Sequence, residues 1–372
     1  LVGYLGQYVS EITFGGRHRA RPDFRNLLFA NIVEEAMQDQ LVTGFRDKLR
    51  GELITPTDTA YEEACKLYNG MIKKHPRLIA RCANVADIMT AVNFGRENDL
   101  LIAIRGGGHN GPGLGSCDDG LVIDLSMMKG VRVDPNAATV QVEPGCTQGD
   151  VDHATHAFGL AVPAGIVSTT GIAGLTLGGG TGYLTRKYGL TIDNLIEADV
   201  VLANGEFVTA NEKSNPDLFW AIRGGGGNFG VVTNFVFKAH PVSTVFAGPI
   251  FWEIADAHNV MQKYRDFIGG APEELGAFVG LKTVPSCAPF PEEHWGKKIC
   301  AIISSYNGSE VDGRSALAPL RDELPEPILN WMGEMPFPAI QSLFDPLMPK
   351  GMQWYWKGDF VQELSEEAIE TH

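Results

Sequence analysis

The chain has 372 residues, 44% of them hydrophobic, which is enough for two cores and sets an expectation of two domains. Its 45 acidic residues against 30 basic ones give a formal charge of −15, and that balance argues against nucleic acid and anionic membranes as partners, since such binding rests on phosphate neutralisation by lysine and arginine. No apolar run approaches the ~20 residues needed to cross a bilayer. The six cysteines (Cys65, Cys82, Cys117, Cys146, Cys287, Cys300) form neither a C-x-x-C pair nor a zinc spacing, and read as free thiols of a reducing, cytoplasmic compartment.

In chain order, residues 1–44 carry polar and basic turns and an amphipathic helical pattern near Asn26–Gln40, and are taken as an N-terminal extension. A helix is expected over Tyr61–Met71 with Asp58 as its N-cap, then strand, helix and strand over Leu78–Cys82, Ala86–Asn98 and Leu100–Arg105. Short strands follow at Leu121–Leu125, Gly130–Val133 and Thr139–Val142, and a helix at Gln148–Phe158. Ala198–Ala203 and Glu206–Thr209 flank Asn204-Gly205, a strong hairpin signal. Asn215-Pro216-Asp217 opens a helix, and Val231–Phe237 alternates as a strand. Beyond His240-Pro241 the composition shifts: Val245–Ile254, Gly276–Lys282 and Ile299–Tyr306 read as an antiparallel sheet, with helices within Ala255–Ile268 and Gly313–Leu320 and after Leu364. The mixture is α+β without regular βαβ alternation, which disfavours a nicotinamide dinucleotide fold.

The 44 glycines concentrate in three clusters, and these carry the chemistry. The first, Arg105-Gly106-Gly107-Gly108-His109-Asn110-Gly111, follows the apolar run Leu101–Ile104. Three successive glycines let amide N–H groups reach phosphate oxygens with no Cβ in the way, and Arg105 adds a positive charge beside them. Gly106, Gly108 and Gly111 satisfy the G-x-G-x-x-G spacing, but Gly111-Pro112-Gly113-Leu114-Gly115 cannot open the helix that a Rossmann fingerprint requires. The second cluster runs from Pro163 to Gly182 and the third lies within Leu218–Thr233. His153 and His156, at i, i+3, share a helix face, yet no further ligands converge with them and no metal is expected.

From about Phe45 onward these three motifs, in this order, resemble the FAD-linked oxidases related to vanillyl-alcohol oxidase and para-cresol methylhydroxylase (PCMH), and closest of all the berberine bridge enzyme-like branch in its bacterial form. The resemblance implies an α+β fold: a two-subdomain, PCMH-type FAD-binding domain over residues 45–240 and an antiparallel-sheet substrate domain over 241–372, the family's C-terminal arm being missing. It implies FAD held by Arg105, Gly106, Gly107, Gly108, His109, Asn110, Gly111, Gly165, Thr169, Thr170, Gly171, Gly174, Gly230 and Val231. In the family the histidine at the position of His109 is bonded to the 8α-methyl of the isoalloxazine. The second, cysteinyl link of many relatives is not expected, because Val167 stands at its place.

The same resemblance assigns the substrate side. Thr170 falls where relatives line the oxygen path, and a valine-sized side chain leaves that path open. Trp354–Asp359 resembles the strand that faces the flavin ring, and alternation puts Tyr355, Lys357 and Asp359 on one face. Thr170, Tyr355 and Lys357 are thus the catalytic candidates; the tyrosine base of many relatives belongs to the arm. The activity implied is an FAD-dependent oxidase that removes hydride from a carbon bearing a hydroxyl or amine of a small molecule and passes the electrons to O2, giving H2O2. A dehydrogenase with another acceptor and a flavin-binding protein without turnover are the alternatives.

Overall fold

The computed structural model describes residues 39–371. Residues 1–47 form one unit, of which a helix over residues 39–46 (α1) is described; the amphipathic segment expected near Asn26–Gln40 lies, but for its last two residues, outside the described residues. The second unit, from Lys48 onward, is an α+β assembly of three sheets and a two-stranded ribbon.

The first sheet uses β1 (Glu52–Ile54), β2 (Leu78–Arg81), β3 (Ile102–Arg105) and β4 (Leu121–Asp124) in the order β1-β2-β4-β3, with α2 (Tyr61–Cys65) and α3 (Val85–Glu97) between them in sequence. Both β2 and β3 run parallel to β4, so α3 is a crossover that leaves room for β4. A parallel strand is covered on both faces, and the apolar runs Leu78-Ile79-Ala80 and Leu121-Val122-Ile123 are accordingly buried throughout. Asn84 caps α3 by accepting from the Asp87 amide at 3.1 Å, while the buried Asp87 carboxylate takes the amides of Arg50, Gly51 and Ala83.

The second sheet has the order β5-β6-β10-β8-β9. Its elements are β5 (Val131–Asp134), β6 (Thr139–Val142), α4 (Gln148–His156), β7 (Leu160–Ala161), α5 (Ile172–Leu177), α6 (Thr185–Tyr188), β8 (Leu195–Val201), β9 (Phe207–Asn211), α7 (Pro216–Ile222), β10 (Val231–Lys238) and β11 (His240–Pro241), β7 pairing with β11 as the ribbon. Asn204-Gly205 turns the expected β8–β9 hairpin, Gly205 sitting at φ 85° where a side chain would be strained. Val140, Val142, Ile172, Phe235 and Phe237 lie in one buried core beneath this sheet.

The third sheet is built on β12 (Thr244–Glu253), followed by α8 (Ala257–Ile268), β13 (Leu275–Thr283), β14 (Lys298–Tyr306), α9 (Glu310–Ala316), α10 (Ala318–Glu323), β15 (Leu329–Asn330), β16 (Gly333–Pro336), α11 (Phe337–Gln341) and α12 (Glu366–Thr371). Its order is β13-β14-β12-β15, with β16 also on β12, and every pairing is antiparallel. The period of two is strict. Val245, Ala247 and Phe251 of β12 share a core with Ile299, Ala301 and Ile303 of β14, with Ala161, Tyr183 and Leu184 from the second module, and with α11. Phe246 and Trp252, with Cys300 and Ile302, face α8 and α10 instead.

Several elements depart from expectation for identifiable reasons. The helix from Tyr61 stops at Cys65 because Tyr68 and Gly70 spend their amides elsewhere, on the carbonyls of Gly108 (3.2 Å) and Met352 (2.8 Å). Its N-cap is Ala60; the Asp58 carboxylate instead takes the amide and hydroxyl of Thr55, each at 2.7 Å. The helix from Gln148 ends at His156. Gly313–Leu320 is split between α9 and α10, since Pro319 in the first turn of α10 cannot continue a helix through itself. Trp354–Asp359 is no strand: the Trp354 amide goes to the side-chain oxygen of Asn69 at 3.1 Å in place of a ladder partner.

Candidate active site

The first glycine cluster leaves the end of β3 and meets the second cluster backbone against backbone. A Cβ on Gly107 would lie 2.5 Å from the Cα and amide nitrogen of Gly171, and one on Gly171 would lie 2.4 Å from the Gly107 nitrogen. Only two glycines permit that approach. Among the described residues, the amides of Gly106, Gly107, Gly108 and His109 donate to no protein acceptor. Four neighbouring unspent N–H donors on a glycine loop form a concavity for an anion.

These donors border a cavity of about 620 Å³ whose 24 lining residues include ten glycines: Gly106, Gly107 and Gly108 from the first cluster and Gly115 just after it, Gly171, Gly174 and Gly178 from the second, and Gly226, Gly227 and Gly230 from the third. All three motifs therefore converge on one space, walled on its apolar side by Ile102, Ile104, Leu125, Leu177 and Val232. A long ligand with a charged middle and flat apolar ends, such as a flavin dinucleotide, matches a wall that offers amide donors without Cβ atoms. A second cavity, of about 470 Å³, lies against Gly106–His109 and is lined also by Tyr68, Thr169, Asp345 and Lys350.

Arg105 does not supply the free cation that the sequence suggested. Its guanidinium is buried, pairs with the Asp124 carboxylate at 2.8 Å and donates to the Ala64 carbonyl at 2.8 Å. Burial pushes the Asp124 carboxyl up, but Arg105 and the Ser126 amide outweigh it and hold the group below the usual carboxylate range. The pair thus locks the loop onto β4, and the anion-binding character of the cavity comes from amide dipoles.

His109 sits where the clusters meet. Its ring stacks on Tyr68 with centroids 3.7 Å apart and planes inclined by 21°, and its Nδ1 lies 3.5 Å from Thr170 Oγ1. Burial pushes its pKa down to about 4, against the opposing pull of a hydrogen bond to the Thr169 backbone and of the Asp345 charge. At neutral pH the imidazole is uncharged and one nitrogen keeps its lone pair.

The other expected residues fall into two groups. Asn110, Thr170, Gly171, Gly174 and Gly230 line the larger cavity, and Thr169 the smaller. Gly165, Gly111 and Val231 line neither. Gly165 is clasped by the side chain of Gln148, which accepts from its amide (2.8 Å) and donates to its carbonyl (3.0 Å). Gly111 gives its carbonyl to Asn69 and lies under Trp356, while Val231 is buried in β10 against β8. On the substrate side, Tyr355 is 83% exposed, and Lys357 and Asp359 are exposed and outside both cavities.

The residues that sequence reasoning missed form a strap. Met348–Trp356 is pinned to Tyr68-Asn69-Gly70: the Tyr68 hydroxyl donates to the Met348 carbonyl, the Gly351 amide to the Tyr68 carbonyl (2.9 Å), and Asn69 donates to the carbonyl of Trp354 (2.8 Å). Trp354 stacks on Tyr68 at 5.9 Å and Trp356 on Trp354 at 5.7 Å. Just before the strap, Asp345 accepts from the Ser168 amide at 3.0 Å and from its hydroxyl. The dense Trp354-Tyr355-Trp356 run is the one local signal for it, and that signal indicates the tryptophans less than the tyrosine between them.

Comparison with known proteins agrees with this geometry. Residues 76–211 match a family described as an FAD binding domain. An FAD-linked oxidoreductase of Dictyostelium discoideum is 37% identical over 335 residues, 89% of this chain and 70% of that protein. The crystal structure of 6-hydroxy-D-nicotine oxidase from Arthrobacter nicotinovorans superposes with a TM-score of 0.72 at 28% identity, covering 79% of this chain and 64% of that one. A berberine bridge enzyme-like protein of Physcomitrella patens gives a TM-score of 0.70 at 28% identity, covering 79% and 62%. The chain thus spans less than two thirds of these two solved relatives.

Proposed function

Since the chain belongs to the FAD-linked oxidoreductases of the berberine bridge enzyme-like family, we propose that it is an FAD-dependent oxidase whose flavin is bonded to His109. The observation that carries the reading is the convergence of four unspent amides at Gly106–His109 with a neutral, partly buried imidazole on the wall of one glycine-lined cavity. When bound, FAD supplies the hydride acceptor. The residues of the chain divide the remaining tasks. The amides of Gly106, Gly107 and Gly108 take the pyrophosphate, the third cluster around Gly230 takes the adenine side, and His109 anchors the ring.

The substrate class is a small molecule with a hydroxyl- or amine-bearing carbon, in keeping with a 6-hydroxy-D-nicotine oxidase among the neighbours. Dioxygen is the electron acceptor, and hydrogen peroxide the second product. We place the flavin-binding module at residues 45–240 and the substrate module at 241–372, the third sheet following directly on the ribbon that ends at Pro241. The test is a peroxide assay of the FAD-loaded protein across a panel of sugars, alcohols and amines. Peroxide released with any of them supports an oxidase. A flavin that substrate bleaches without oxygen and that air fails to restore would leave a dehydrogenase in its place.

A further inference from the structure

The loop that brings Thr169 and Thr170 to the two cavities is held from two sides. On one side the first amides of α4, those of Gln148 and Gly149, donate to the carbonyls of Thr170 and Ser168, each at 2.8 Å, and the Gln148 side chain clasps Gly165. On the other, Asp345, four residues after α11 ends, takes the amide and the hydroxyl of Ser168. The two holds meet where Asp152 of α4 accepts from Gln341 Nε2 of α11 at 3.3 Å. Both side chains are buried, and α11 continues through Phe337 and Ile340 into the core of the third sheet.

One atom of this junction lacks a partner. Gln341 Oε1 is buried and accepts no hydrogen bond among the described residues. The amide faces a carboxyl group. A carboxylate only accepts, whereas a protonated carboxyl donates one O–H. With the proton in place, Asp152 accepts from Gln341 Nε2 and can return a bond to Oε1; without it, a buried charge stands against an unpaired carbonyl oxygen. No neighbouring charge offsets that cost. On α4 itself Asp150 is taken by Lys129 and the Thr147 amide, and His153 and His156 follow along the helix. Of the elements packed on α4, β5 carries Arg132 and Asp134, both exposed, while α11 and β7 carry no titratable side chain. Burial pushes the Asp152 pKa up to about 7 against the lowering effect of the Gln341 bond, and none of these charged groups adds to it.

We propose that Asp152 and Gln341 form a pH-sensitive clasp on the cofactor loop: protonated, the pair ties α4 to α11 and keeps Asp345 on Ser168; ionised, it parts, and the hold on Ser168 loosens. Thr169 and Thr170 then lose their fixed places on the cavity walls. The proposal rests on the reading of the glycine-lined cavity as the FAD site. FAD is accordingly held more weakly above neutral pH than below it, and bound FAD in turn keeps the proton on Asp152 to higher pH.

The experiment uses the full chain carrying His109→Ala, so that FAD binds reversibly, at about pH 6 and about pH 8.5, on either side of the Asp152 pKa. Two quantities are read. One is FAD affinity by titration; the other is hydrogen exchange of residues 166–172 in the FAD-free chain, as protection relative to the intrinsic rate at each pH. From the lower to the higher pH, affinity should fall about tenfold, and protection of the Ser168 amide should fall with it. Asp152→Asn supplies a donor to Gln341 Oε1 at every pH and should keep both quantities at their low-pH values. Asp345→Ala cuts the link to Ser168 and should give the weaker affinity at both. Equal protection of Ser168 at the two pH values, or an unchanged pH dependence in Asp152→Asn, would overturn the clasp and leave the FAD reading standing. A chain that binds no FAD at either pH would overturn the FAD reading, while the exchange measurement, made without cofactor, still decides whether the clasp opens.

Discussion

Asp345 grips Ser168 twice, through the backbone amide and through the hydroxyl, across 177 residues of sequence. The contact fastens the segment after α11 to the second glycine cluster, two residues before Thr170. Hydrogen bonds to a charged group contribute more than neutral ones, so Asp345→Ala, which leaves the Ser168 amide and hydroxyl without this acceptor, should cost about 1.5–3 kcal/mol of stability. Denaturant unfolding reads that loss. The substitution also removes a negative charge that raises the His109 pKa, so proton titration of His109 by magnetic resonance should move to still lower pH.

Two alanine substitutions should separate folding from cofactor binding. Gly107→Ala drives a methyl into the Gly171 backbone, where nothing can yield cheaply, and should cost ~1–3 kcal/mol or more along with flavin binding. Gly174 lies in α5, where a Cβ would meet no atom within 4 Å beyond the helix's own backbone, and it lines the larger cavity. Gly174→Ala should therefore gain ~0.5–1 kcal/mol as a better helix former while its methyl weakens FAD binding. Thermal melts paired with an FAD titration decide the matter; undiminished FAD affinity in Gly174→Ala would place the cofactor elsewhere.

Asp152 on α4 is fully enclosed where α4 meets α11, and its side chain accepts from Gln341 Nε2 at 3.3 Å. Burial pushes its pKa up to about 7. Between its ordinary value near ~4 and about 7 the folded chain keeps a proton that the unfolded chain has lost, so stability falls as pH rises through that window and levels off above it. The full span is at most roughly 4 kcal/mol, three units at ~1.4 kcal/mol each. Asp152→Asn should flatten this slope and leave the protein more stable than wild type at pH 8. The added amide also offers a donor to Gln341 Oε1, which has no partner among the described residues. Unfolding curves at a series of pH values check both statements.

With His109→Ala, all flavin should be released by acid, whereas the wild-type pellet stays yellow. The pKa near 4 adds a pH signature. The neutral imidazole is the nucleophile, so bond formation should be independent of histidine protonation from pH 8 down to about 5 and should fall away below about 4, where the ring takes a proton. A rate that halves near the ordinary histidine value of ~6.5 would mean that the ring is far more solvated than its surroundings indicate.

The fold was legible wherever local pattern and tertiary role coincide. The period of two in Val245–Glu253 sorts the residues of β12 onto the two cores that they occupy, and Asn204-Gly205 and Asn215-Pro216 mark a hairpin and a helix start that are present. The three glycine clusters identified the cavity because a glycine run in an ordered chain signals close backbone approach. What failed was whatever a distant partner decides. Nothing local to Tyr61–Met71 reveals that Tyr68 and Gly70 will give up helical bonding to hold a segment 280 residues away. Arg105 looks free in sequence because Asp124, which neutralises it, lies on another strand. Tyr68 and Asp345 carry no motif at all; only the fold brings them to His109.

The stacked series His109, Tyr68, Trp354, Trp356 ends in an indole that is 52% exposed. An isoalloxazine joined to His109 absorbs where tryptophan emits, and the nearer indole is only two ring contacts away. Trp354 and Trp356 are thereby an optical gauge built into the chain. Their emission should dim as sites fill, so cofactor uptake can be counted in the protein without any turnover.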